Sequence, residues 1–213
     1  MKTHSKLNGG KMDEIYKRQD NINHFNNRAY TIIGVGGVGA WVAIYLAMSG
    51  AKEITLVDAD KLELSNLNRL PFSENDIGKH KVDVVKEFIV KIRPDTNIFT
   101  KTEFWTENSS ITHTTIDTTD DSRIQEKIHN KCRKSGYQYI RGGYNGLYRL
   151  SVCNYFPKWG EASGQTHYGG ITPSWVVPAS IAGAMVVNLI ERVTAFNGES
   201  TSYSMDLLDV FKK

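Results

Sequence analysis

A doubly wound, Rossmann-like α/β fold, one mostly parallel sheet with helices on both faces, is predicted from three observations. The β-branched run "AYTII" ends in the glycines of "GVGGVG", and the apolar helical segment "AWVAIYLAM" follows at once. A second strand pattern, "KEITLVDAD", begins just after Gly50 stops that helix. Strand, tight turn, helix and strand make a βαβ unit, whose crossover requires the two strands to pair in parallel.

The elements follow in order. Residues 1–28 are polar and rich in Asn and Lys, and read as a surface arm with a short helix around "MDEIYKRQD"; residues 29–213 read as one domain. After the βαβ unit, "DIGKHKVDVVKEFIVKIRPD" predicts a helix with Val82, Val85, Phe88, Ile89 and Ile92 on one face and Pro94 past its end. "NIFTKTEFW" predicts a third strand, and "THTTIDTTDD" a fourth that ends in acid. "SRIQEKIHNKCRKSG" is helical, and "YQYIRGGYNG" and "LYRLSVCNYF" are two further strands. Residues 157–173 are rich in Gly and Pro and read as a long loop, a feature that in compact domains is often functional. "ASIAGAMVVNLIERVTAF" is a last, largely buried helix and "SYSMDLLDVF" a final strand or extended tail.

Composition narrows the function classes. A chain of 213 residues with 40% hydrophobic content can bury one sizeable core. Its net charge of +3 is spread along the chain, which permits a nucleic-acid partner without arguing for one. Two cysteines, Cys132 and Cys153, exclude a disulfide framework and supply no Cys-x-x-Cys knuckle, so the reading is a zinc-free protein of the reducing cytoplasm. The N-terminus lacks an apolar secretory core, and the apolar stretch from Trp175 to Ile190 is interrupted by Pro178 and Asn188, so no membrane role is expected.

Gly34, Gly36, Gly37 and Gly39 stand between a strand and a helix, the context in which such a motif has meaning. There the backbone can approach phosphate oxygens, and the free N–H groups of the helix start favour negative charge. Asp58 ends the second strand, where a carboxylate can accept from ribose hydroxyls. These features point to an adenine nucleotide, or else to a glycine turn needed only for close packing. Asn66, Arg69 and Lys81 follow closely, and an enzyme that splits a triphosphate needs cations where charge accumulates on phosphate. Asp120 invites a second reading as the N-cap of the helix that begins at Ser122.

Together, "GVGGVG", "VDAD", "SNLNR" and "IGKHK" resemble the adenylation core of the ThiF/MoeB family, relatives of the ubiquitin-activating enzymes. "IDTTDD" resembles that family's Asp-x-Thr-Asp-Asn run, with Asp121 in place of Asn, and "YKRQD" is similar to its Tyr-x-Arg-Gln segment. The resemblance implies ATP and Mg²⁺ as cofactors. It places Gly34, Gly36, Gly37 and Gly39 along the nucleotide, Asp58 on its ribose, Asp60 among the nucleotide-binding residues, and Asn66, Arg69 and Lys81 at the phosphates. Asp120 would bind Mg²⁺, and Arg18 would reach into the site of a neighbouring subunit, implying a homodimer. The zinc cysteines of many members are absent, so no zinc is expected.

The implied reaction is the conversion of a carboxylate and ATP to an acyl-adenylate and pyrophosphate. The expected acyl group is the C-terminal Gly-Gly of a ubiquitin-like or sulfur-carrier protein. No cysteine follows Cys153, which argues against an enzyme-bound thioester in the 157–173 loop. Three alternatives remain open: an ATP-dependent dehydratase acting on threonylcarbamoyladenosine in tRNA, an enzyme that adenylates a short peptide, as the likeness of "YIRGGYN" to such members implies, and a non-catalytic nucleotide-binding partner subunit, which would be expected to have lost one of Arg69, Lys81 or Asp120.

Overall fold

The computed structural model describes residues 14–19, 25, 28–112, 114–145, 149–156, 173–195 and 200–207. Seven strands are arranged in one sheet in the order β3-β2-β1-β4-β5-β6-β7. They are β1 (Ala29–Ile33), β2 (Glu53–Val57), β3 (Asn97–Lys101), β4 (Thr114–Asp117), β5 (Gln138–Tyr144), β6 (Arg149–Cys153) and β7 (Ser202–Asp206). The first five pair in parallel, while β6 and β7 add in antiparallel fashion. The predicted α/β architecture is therefore the observed one.

Among the described residues four helices cover the sheet: α1 (Gly37–Met48), α2 (Lys81–Ile92), α3 (Ser122–Ser135) and α4 (Val176–Ala195). Alternation along the strands divides the core between the two faces. Ile32, Ile54, Leu56, Ile116 and Ile140 join buried residues of α1, α2 and α4. Their chain neighbours Ile33 and Val57 point the other way, into a smaller cluster with Ile128 and Cys132 of α3, Tyr139 and Trp105. α4 lies on α1, close enough that a Cβ on Gly183 would meet the Trp41 side chain at 2.8 Å.

Two helix boundaries differ from expectation. α1 begins at Gly37 inside the glycine motif, because the Ala40 amide already donates to the Gly36 carbonyl at 3.0 Å. α2 begins at Lys81 rather than near Asp76. Gly78 adopts φ +83°, and its amide donates to the Leu62 carbonyl at 2.8 Å, which holds the preceding stretch as a turn. Near the N-terminus, Glu14–Tyr16 are helical and Lys17–Gln19 form a 3-10 turn. Most of the 157–173 loop lies outside the described residues. Among the described residues, no helix is long and apolar enough to cross a membrane.

Candidate nucleotide site at the switch point of the sheet

From β1 the chain winds outward to β2 and β3, and from β4 it winds the opposite way to β5, so direction reverses between β1 and β4. In open sheets of this kind, ligands sit outside the carboxyl ends of the strands at such a reversal. The glycine loop leaves β1 there and the "DTTDD" turn leaves β4 beside it.

The four glycines divide into two pairs. Gly34 has φ +83°, and a Cβ on it would lie 3.0 Å from the Thr118 carbonyl carbon. A Cβ on Gly39 would fall inside the Gly34 carbonyl oxygen and 2.6 Å from Thr118 Oγ1. These two glycines let β1, α1 and the end of β4 close on one another, as the packing alternative required. By contrast, a Cβ on Gly36 would meet nothing within 4 Å, and one on Gly37 would meet Arg69 Cδ at 3.1 Å and the Tyr144 hydroxyl at 3.2 Å. Gly36 is the N-cap of α1 and offers no side-chain cap, so the helix begins on an open surface roofed by Arg69 and Tyr144.

Asp58 ties the loop to β2. Its Oδ2 accepts from the Val35 amide at 2.6 Å and its Oδ1 from the Asp60 amide at 2.8 Å. Asp60 in turn receives the Lys81 ammonium at 2.7 Å, where the lysine side chain is 14% exposed and the aspartate 54%. Arg69 is held along its length: Trp41 Nε1 donates to its carbonyl at 2.9 Å, and its guanidinium donates to the Ser65 carbonyl at 2.8 Å and to Asn68 Oδ1 at 3.0 Å. Asn66 is buried, with Oδ1 accepting from the Glu63 amide at 3.2 Å. Its backbone carbonyl separately accepts from the Arg69 amide at 3.1 Å, which closes the turn that carries Arg69.

Asp120 is exposed and makes no hydrogen bond or ion pair to a described residue. The helix N-cap is its neighbour Asp121, whose Oδ1 accepts from the Arg123 amide at 2.8 Å, which leaves the Asp120 carboxylate uncommitted. Arg18 lies elsewhere. Tyr16, two residues before it, donates to the Ala47 carbonyl at 3.4 Å and would contact a Cβ on Gly50, so this segment sits at the far end of α1 from Gly37.

Sequence reasoning missed Asn68 and Tyr144, which meet at Ser174 just before α4. Asn68 Nδ2 donates to the Ser174 carbonyl at 2.6 Å, and the Tyr144 and Ser174 hydroxyls share a hydrogen bond. The signal available was the position of Tyr144 directly after the glycine pair of "RGGYNG". Both cysteines are buried, and burial raises both thiols, Cys132 to about 11, so neither is poised as a nucleophile. An open concavity of about 320 Å³ lies against α2, lined by Pro71, Phe72, Val84 and Phe88 among others, and shares no residue with the glycine loop.

Comparison with known proteins agrees with this geometry. A model of the ThiF family matches residues 12–212. Relatives include tRNA threonylcarbamoyladenosine dehydratase 2 of Saccharomyces cerevisiae, 37% identical over 89 residues, which are 41% of this chain and 20% of that protein. Another is the probable molybdopterin-synthase adenylyltransferase of Gracilaria tenuistipitata var. liui, 33% identical over 133 residues, 58% of this chain and 37% of that protein. The chain thus spans well under half the length of these curated relatives. Among solved structures, PaaA superposes with a TM-score of 0.72 at 23% identity, over 96% of this chain and 76% of that one. E. coli MccB with ATP does so with a TM-score of 0.68 at 21% identity, over 86% of this chain and 65% of that one. With the family model spanning nearly the whole sequence and a switch-point loop of this construction beneath it, the chain belongs to the ThiF family.

Proposed function

We propose that this protein uses ATP to adenylate a carboxylate, and that the carboxylate is the C-terminal Gly-Gly end of a ubiquitin-like or sulfur-carrier protein. The observation that carries the reading is the convergence at one switch point of an uncapped helix start, Arg69 against it, and the uncommitted Asp120. In the reaction, a carboxylate oxygen attacks the α-phosphorus of ATP. The bond from that phosphorus to the oxygen bridging to the β-phosphate breaks, and pyrophosphate leaves with the electron pair.

Two anions must approach one another, so the protein contributes mainly position and positive potential. The open amides of α1 at Gly36 and Gly37 would face the phosphates. Asp58, fixed through both oxygens, keeps free lone pairs for ribose hydroxyls. Arg69, held by Asn68 and Ser65, would orient the α-phosphate. Lys81 would exchange Asp60 for a phosphate oxygen on nucleotide binding, and Asn66 would support Arg69 through its backbone carbonyl, which accepts from the Arg69 amide.

Among the described residues no group of three or more His, Cys, Asp or Glu could hold a metal by itself. Mg²⁺ binds commonly through one or two carboxylates together with nucleotide phosphates, and Asp120 fits that arrangement. Bound there, Mg²⁺ would supply charge neutralisation at the phosphates.

A second reading keeps the same chemistry on a different acyl group. Relatives named tRNA threonylcarbamoyladenosine dehydratase match at 37% and 39% identity, which supports a carboxylate on a modified tRNA base as the alternative substrate. ATP:pyrophosphate exchange separates the two. Under the first reading, exchange requires Mg²⁺ and a Gly-Gly-ended carrier and falls by about 10² or more in Asp120→Ala. Exchange or ATP consumption only with threonylcarbamoyl-modified tRNA would move the assignment to the second reading. Silence with both would return the non-catalytic partner reading.

A further inference from the structure

Asp117, the last residue of β4, is fully buried, and none of the roles above uses it. Its Oδ1 accepts from the Thr119 amide at 3.0 Å and the Thr119 hydroxyl at 2.7 Å, and its Oδ2 accepts from the Tyr139 hydroxyl at 2.8 Å. All three partners are donors, so an ionised carboxylate, which only accepts, suits the place better than an amide. From the other side, the buried Gln125 donates its Nε2 to the Thr119 carbonyl. One residue earlier, the Thr118 amide donates to the Ile33 carbonyl at 2.9 Å and its hydroxyl to the Gly34 carbonyl at 2.6 Å. Asp120 follows Thr119 and is exposed and free of any such contact.

This construction is expensive if stability is its only purpose. Burial raises the Asp117 carboxyl above its ordinary range, against the opposing hydrogen bonds from Thr119 and Tyr139. Gln125 Oε1 is buried with no hydrogen bond among the described residues, a cost that an apolar side chain of similar volume would avoid. What the amide secures in return is a fixed Thr119 carbonyl.

We propose that Asp117, Tyr139 and Gln125 are positioning residues: they clamp Thr119 and thereby set the direction in which Asp120 is presented to a Mg²⁺-nucleotide. The inference rests on the metal role proposed for Asp120. None of the three touches substrate; each acts through the backbone of the turn, much as outer partners orient a metal ligand.

Gln125→Met separates this role from a structural one, because it removes the donor to Thr119 and the orphan oxygen together. ATP binding is measured by calorimetry in EDTA and across a Mg²⁺ titration, alongside the melting temperature. For Gln125→Met and Tyr139→Phe the expected result is unchanged ATP affinity in EDTA and an Mg²⁺ half-saturation weakened about 10-fold. For Gln125→Met the melting temperature should also stay close to wild type, because losing the orphan oxygen offsets losing the donor to the Thr119 carbonyl. Asp120→Asn is the reference. If it loses the Mg²⁺ dependence while both clamp variants keep it, the clamp is overturned and the role of Asp120 survives. If Asp120→Asn keeps the Mg²⁺ dependence, the metal role falls and the clamp with it. A loss in Gln125→Met that tracks a lowered melting temperature and weaker binding in EDTA also overturns the proposal, and this variant carries the test alone if Tyr139→Phe does not fold.

Discussion

At the scale of single residues, the glycine motif contains positions with opposite demands. Gly39→Ala places a methyl group into the Gly34 carbonyl oxygen and the Thr118 hydroxyl, both on the rigid seam between β1 and β4. Neither neighbour is the end of a flexible side chain in open space, so the cost should reach or exceed about 3 kcal/mol, the upper end of usual overpacking penalties. Gly36→Ala adds a methyl that meets nothing within 4 Å, at a backbone φ of −81° that any residue adopts. Urea unfolding should therefore find Gly39→Ala strongly destabilised and Gly36→Ala close to wild type; equal losses would refute the division. The motif was legible in the sequence, but this division was not, since it depends on Thr118, 79 or more residues away along the chain. The Thr119 clamp, whose members come from β4, α3 and β5, and the meeting of Asn68 and Tyr144 at Ser174 were hidden because no periodic pattern records how separate elements meet.

At the scale of elements, the crossover from β2 to α2 decides where Lys81 lands. Periodicity indicated the helix correctly through Val82, Val85 and Ile89, all of which are buried, but its start was misplaced at the Asp76 end. Local chemistry explains the difference. Asp76 Oδ2 accepts from the Ser73 amide at 3.1 Å and the Ser73 hydroxyl at 2.9 Å, while Oδ1 receives Lys79 at 2.8 Å. That capped turn, together with the bridge between Lys61 and His80, sets Lys81 as the first residue of α2, with its amide on the Asp60 carbonyl at 3.0 Å. The hydrogen bonds from Lys79 and Ser73 lower the Asp76 carboxyl from 3.8 to about 2. A carboxylate with a depressed folded pKa stabilises the protein above its unfolded value, and that contribution disappears as pH falls through the folded one. Asp76→Asn should thus lower the urea midpoint at neutral pH, with the gap to wild type closing between pH 3.8 and about 2. A gap that persists unchanged to pH 2 would show that the ionised form is not what stabilises the turn.

At the scale of the whole molecule, the sheet order puts every proposed phosphate and metal contact at one end of the strands, and Arg18 is the exception. The doubly wound class and the parallel pairing of the first strands followed from the alternation of patterns, because each crossover is a local event, whereas the place of the reversal between β1 and β4 and the antiparallel addition of β6 and β7 depend on strand order across the sheet. The place of Arg18 did not follow from those patterns either, because the arm's docking on Ala47 and Gly50 has no periodic signature. Ala47 lies ten residues along α1 from Gly37, and at 1.5 Å per residue the Tyr16 docking point stands roughly 15 Å along the helix from Gly37. An arginine side chain anchored there cannot serve the glycine loop of its own chain, so if Arg18 acts on a nucleotide it acts on that of a second copy. We therefore expect Arg18→Ala and Lys81→Ala each to abolish pyrophosphate exchange, and their mixture to regain it after subunit exchange. In a mixed dimer, one site combines the intact Lys81 of the first chain with the intact Arg18 of the second, while the other site lacks both. Half of the dimers in an equal random mixture are mixed, so about a quarter of wild-type activity should return. Failure to recover, with subunit exchange verified by differently tagged chains, would remove Arg18 from the site and leave the arm a purely structural brace on α1.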